Sequence, residues 1–98
     1  MNANISRVKK IIDGNLDFLR SNYNVGELGV FGSVVRGDNR KSSDIDLLVE
    51  FSGPIGLFKF IELENYLSEL LGGKVDLISK KALKPAIRDD ILKEVVYV

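Results

Sequence analysis

Two aspartates two positions apart, Asp44 and Asp46, stand near the end of an unusually informative stretch, residues 29–51, which reads GVFGSVVRGDNRKSSDIDLLVEF. In an extended segment, residues i and i+2 project from the same face with Cα atoms about 6 to 7 Å apart, so both carboxylates can reach one cation. Mg²⁺ takes oxygen ligands, and proteins commonly supply one or two carboxylates while substrate phosphates complete the shell. Ahead of the acids, Gly32 and Ser33 fall where a strand should give way to a helical turn, a place where backbone N–H groups are offered to an anion. Glycine at 32 lets backbone approach a ligand with no Cβ in the way. The Ser33 hydroxyl adds a donor, Arg36 is placed for a charge-assisted bond to a phosphate oxygen, and Gly37 lets the chain turn sharply. A third acid, Asp76, alternates with Val75 and Leu77, so it should lie on the open face of another strand.

Each of these residues has an ordinary explanation. Asp-x-Asp pairs are common on exposed strands, Gly-Ser is usual turn chemistry, and a lone arginine is most often solvated. Their joint order carries the argument: a glycine turn, then two acids opposite a core face, then a third acid on a neighbouring strand. Like charges this close raise one another's pKa values, and a divalent cation relieves the repulsion.

The elements that must position these groups are legible in the hydropathy pattern. Ile5, Val8, Ile12, Leu16 and Leu19 recur at helical steps and predict a helix over residues 4–21, in which Gly14 costs about 1 kcal/mol relative to alanine. A short strand is expected over residues 27–31, and a single helical turn over residues 33–37 with Ser33 as N-cap. A polar loop over residues 38–43 leads to a second strand in which Ile45, Leu47, Val49 and Phe51 alternate with Asp44, Asp46, Leu48 and Glu50. Gly53 and Pro54 stop it. A helix over residues 55–71 carries the apolar stripe Leu57, Phe60, Leu63, Leu67 and Leu70, with Lys59, Glu62 and Glu69 outward. Gly72 and Gly73 end it, a third strand covers residues 74–78, and Pro85 opens a last helix along Ile87, Ile91 and Val95. Residues 96–98 fray or pair as a strand. The order α, β, short α, β, α, β, α predicts an α/β (α+β) fold with helices packed on one face of a small mixed sheet.

Composition bounds the chemistry. The 98 residues suit one domain over residues 1–98. Fourteen basic residues balance fourteen acidic ones, so no net field draws the chain to DNA or to an anionic membrane. With neither cysteine nor histidine present, metal binding and proton transfer fall to carboxylates. The polar start and the lack of a long apolar run predict a cytoplasmic protein.

The run Gly32-Ser33, ten residues, Asp44-Ile45-Asp46, with Asp76 further on, resembles the palm of the DNA polymerase β superfamily of nucleotidyltransferases, and the string GSxxRGxxxxxSDIDLLVEF is similar to its minimal nucleotidyltransferases. The resemblance extends over essentially the whole chain. It implies that Asp44 and Asp46 hold two Mg²⁺ ions, that Asp76 completes the triad and acts as base, and that Gly32 and Ser33 grip the triphosphate. It also implies a partner, a separately encoded helical HEPN-type protein that the transferase neutralises as an antitoxin, in some relatives by attaching AMP from ATP to a tyrosine. Two other readings compete with it: a binding module that silences a toxin by occlusion, its acids incidental, and nucleotidyl transfer to a small molecule such as an aminoglycoside.

Overall fold

A computed structural model describes residues 4–37 and 44–98; the loop expected over residues 38–43 lies outside the described residues. The chain runs α1 (Ile5–Gly14), α2 (Leu16–Tyr23), β1 (Val25–Phe31), α3 (Ser33–Arg36), β2 (Ile45–Phe51), α4 (Leu57–Leu71), β3 (Val75–Ser79), a 3₁₀ turn (Lys80–Ala82), α5 (Pro85–Glu94) and β4 (Val96–Tyr97). The four strands form one mixed sheet in the order β3-β2-β1-β4. β1 is antiparallel to both β2 and β4, and β2 is parallel to β3. Among the described residues no helix is long and apolar enough to cross a membrane.

The expected first helix is two helices. Asn15 leaves helical geometry at φ −117°, ψ 7°, and its side-chain amide donates to the Ile11 carbonyl at 2.8 Å. An asparagine that bonds its own backbone competes with the helical ladder, and the neighbouring Gly14 does little to resist. The apolar period survives the break, with Val8, Ile12 and Leu19 fully buried. The turn at residue 33 also differs: Gly32, at φ 77°, is the N-cap and Ser33 is the first helical residue.

The main core lies between one face of the sheet and α1, α2 and α4, built from Val8, Ile12 and Leu19 against Leu47, Val49, Leu63 and Leu67. Leu57, expected in the α4 stripe, is instead 71% exposed because it opens the helix beyond the edge of that core, whereas Leu71 is buried. The opposite face, expected to be largely carboxylate, carries a second small cluster. Phe31, Leu48 and Leu83 are buried there beneath Ile91, Leu92 and Val95, while Ile87 faces outward. Leu48, which alternates with the acids along β2, is thus covered by α5 and the segment that follows it.

α4 also fixes the position of the edge strand β3. The Val75 N–H donates to Ser68 Oγ at 3.0 Å and the Leu77 N–H to Glu64 Oε2 at 2.9 Å. These donors face away from β2, where an edge strand otherwise presents unpaired groups.

Candidate active site

Asp46 lies at the centre of the site because both neighbouring strands meet it there. On one side it pairs with Phe31 at the end of β1, and on the other with Asp76 of β3. Paired residues share a face, so Asp46 and Asp76 point away from the core formed by Ile45, Leu47, Val75 and Leu77. Asp44 immediately precedes β2 and lies within 3.9 Å of the exposed Lys74 ammonium. The adjacent pair Asp44 and Asp46 and the distant Asp76 therefore lie toward the same end of the sheet.

Burial pushes the Asp46 carboxyl up from its ordinary value of 3.8 to about 6, with further upward pressure from Asp76, Asp44 and Glu94 and an opposing pull from Arg36. The apolar cluster around Phe31 and Leu48 lies beside it on the same face, which is the physical origin of that desolvation.

Gly32 closes the other side. A Cβ there would collide with the Asp46 carboxylate, and the residue's φ of 77° is one that side chains rarely adopt. Glycine is required twice over, by backbone conformation and by the acid packed against it. Val34 inserts into the main core and fixes α3 at the end of β1. The Gly32 carbonyl accepts from Val35 and Arg36 N–H at 3.1 Å each, and Gly37 closes the turn in the left-handed region. The structure thus brings together Gly32, Ser33, Arg36 and Gly37 on one turn beside Asp44, Asp46 and Asp76.

Glu94 is a site neighbour that the sequence did not reveal. Its carboxylate accepts from the Gly32 N–H at 3.2 Å and from Arg36 Nη1 at 2.8 Å. No local spacing links residues 32 and 94; only the return of α5 across the sheet brings them together. Two short sequence signals point that way: an acid at the C-terminal end of a helix, where the dipole opposes it, and the apolar run of residues 95–98 that follows.

The donor set fits a hard divalent cation, since mutually repelling carboxylates, here the half-buried Asp46 beside the exposed Asp76, are the oxygen ligands such an ion prefers. Among the described residues no three acidic groups enclose a cation by themselves. A hollow of about 360 Å³ opens elsewhere, at the far end of β2 between Glu50, Phe51, Ile55 and Phe60. Its lining is largely apolar and holds none of the aspartates, so it is not the site of this chemistry.

The sequence profile of the nucleotidyltransferase domain family matches residues 12–98. The chain is 47% identical over 94 residues to the protein adenylyltransferase MntA of Thermococcus cleftensis, covering 96% of this chain and 95% of that protein. A solved structure described as a candidate minimal nucleotidyltransferase superposes with a TM-score of 0.78 at 32% identity, covering 97% of this chain and 96% of the other. A chain from the complex of a tri-AMPylated Shewanella oneidensis HEPN toxin with its MNT antitoxin shares the fold, with a TM-score of 0.66 at 19% identity over 92% of this chain and 70% of the other. Sequence profile, near-full-length relatives and fold agree: the chain belongs to the nucleotidyltransferase domain family.

Proposed function

We propose that this nucleotidyltransferase moves AMP from ATP onto a tyrosine hydroxyl of a HEPN-type helical partner, and so acts as the antitoxin of a toxin–antitoxin pair. The observation that carries the reading is the register that pairs Asp46 with Asp76 while Gly32 packs against the Asp46 carboxylate. It sets the Gly32–Arg36 turn, which this reading takes as the phosphate cradle, beside acids drawn from two strands. The name of the Thermococcus cleftensis relative supports protein as acceptor, and the Shewanella oneidensis complex supports the partner class.

In this reading the Gly32 and Ser33 N–H groups and the Arg36 guanidinium orient the triphosphate, and the apolar wall of Phe31 and Leu48 excludes water from one side of the acids. Asp44, Asp46 and Asp76 would hold Mg²⁺, which when bound neutralises charge on the phosphates and on the attacking and leaving oxygens. The acceptor oxygen forms a bond to the α-phosphorus as the bond to the β-phosphate oxygen breaks, and pyrophosphate leaves. Asp76, the exposed acid, accepts the hydroxyl proton.

Incubation of the purified chain with α-labelled ATP, Mg²⁺ and the helical protein encoded beside it should label that protein, and Asp44→Asn should abolish the label. Undiminished labelling by the variant would remove the paired aspartates from the mechanism.

Exposed apolar side chains at the start of α4, Leu57 at 71% and Phe58 at 87%, favour a second reading, neutralisation by occlusion. The Asp44→Asn, Asp46→Asn double variant separates the two, since it still neutralises under occlusion and fails under catalysis.

A further inference from the structure

The carboxylate of Glu94 occupies an electrostatically poor position. It ends α5, where the helix dipole disfavours negative charge, and it stands close enough to Asp46 to oppose that group's ionisation. The surrounding fold nevertheless holds it there. Val95, the next residue, packs into the Phe31–Leu48 cluster and passes over Gly29, where a Cβ would come within 2.5 Å of Val95 Cγ2. β4 then pairs with β1, and the Val98 N–H donates to the Leu28 carbonyl at 2.9 Å. With both flanks pinned, the two carboxylate oxygens divide between the Gly32 N–H and the Arg36 guanidinium. A local penalty maintained by long-range packing points to use rather than accident.

The partners are donors that an anionic oxygen of a phosphate would take. A guanidinium has several N–H groups and can serve two anions, but the Gly32 N–H is a single donor aimed in one direction. Glu94 and a triphosphate oxygen cannot both hold it.

We propose that Glu94 is an internal stand-in for the nucleotide's phosphate, holding the Gly32 N–H and the Arg36 guanidinium until a triphosphate displaces it, and thereby setting the affinity for nucleotide. The inference rests on the reading of the Gly32–Arg36 turn as the triphosphate cradle. Displacement has a second effect, because it carries one negative charge away from Asp46 as the substrate's own charge arrives. Binding is weakened by the contact that must be broken, as for any protein whose competent form is only part of the population.

Glu94→Gln removes the charge and keeps the shape. Titration of the chain with AMP-PNP and Mg²⁺, followed by calorimetry and by the Gly32 amide resonance, tests the proposal. The variant should bind about fivefold tighter. The Gly32 amide of the two proteins should differ before nucleotide is added and coincide at saturation. Equal or weaker binding by the variant, or an amide difference that persists at saturation, would overturn the proposal. In the unsubstituted protein the Glu94 Cδ resonance gives a second measurement independent of how the variant folds. It should move to the value of a solvated carboxylate on saturation, and a stationary signal counts against displacement. A Gly32 amide that stays still in both proteins while calorimetry registers binding has a different meaning: the turn is not the triphosphate cradle, and the parent reading fails.

Discussion

Asp46 is held half-buried beside other acids, and its ionisation works against the fold. Between about pH 4 and about pH 6 the folded protein retains a proton on Asp46 that the unfolded chain has already released. Stability therefore falls as pH rises through that window, and the full deficit is present above it. Asp46→Asn removes the charge at nearly constant shape and should raise the melting temperature at pH 7 in chelator. The gain is about 1 kcal/mol or less, a few degrees in a domain of this size, because Asp46 keeps partial access to screening solvent. Below about pH 4 the gain should vanish, since both states of the parent are then protonated. Scanning calorimetry across pH checks both halves, and a gain that grows on acidification would mean that Asp46 is stabilised as the anion. Added Mg²⁺ should raise the parent's melting temperature more than the variant's. The type and spacing of the acids were visible in the sequence, but the strength of this coupling was not. It comes from the pairing of Asp46 with Asp76, thirty residues apart in the chain, and from the apolar wall of Phe31 and Leu48 that α5 covers.

At the scale of elements, hydropathy periods located the helices and strands because each buries one face. Val8, Ile12 and Leu19 are buried as their spacing demands, and so are Ile45, Leu47 and Val49. Periodicity failed where a polar backbone contact or an edge intervened, at Asn15 within the first helix and at Leu57 beyond the core. It also could not distinguish Leu48 from the polar residues around it, because the partner that covers Leu48 arrives from the far end of the chain. β3 shows how an element holds a candidate site residue from outside the site. Glu64 and Ser68 accept from the N–H groups on either side of Asp76 and thereby anchor the strand that carries it. Glu64→Ala should cost about 1 to 2 kcal/mol in urea denaturation, from the acceptor lost at the part-buried Leu77 N–H. Transferase activity should fall further than the small unfolded fraction explains, because Asp76 loses its fixed height beside Asp46. A variant of lower stability but unchanged rate per folded molecule would show that β2 pairing alone places Asp76.

The whole molecule combines neutrality with strong local polarity. Its charges cancel, fourteen against fourteen, yet Asp44, Asp46, Asp76 and Glu94 gather around one end of the sheet, with Arg36 among them. A polyanion is attracted to a protein through the cations it can neutralise, and non-specific affinities of about 0.1 mM to 1 µM come from that term. Here the net term is absent and the site itself is acidic. A compact triphosphate arriving with Mg²⁺ can enter such a site, because its charge is largely compensated and its few oxygens match a few donors. A long phosphate backbone presents many uncompensated charges to the same acids. The chain should therefore show no saturable binding to a fluorescent duplex or single strand in anisotropy titrations at physiological salt up to about 100 µM protein. Tight, salt-sensitive binding would reveal a basic surface that the balanced composition conceals. The same charge arrangement accounts for the part of the site that sequence could not disclose. Motif and composition identify which groups carry charge, whereas the folded chain decides that the acid at the end of α5 and the glycine at the end of β1 meet.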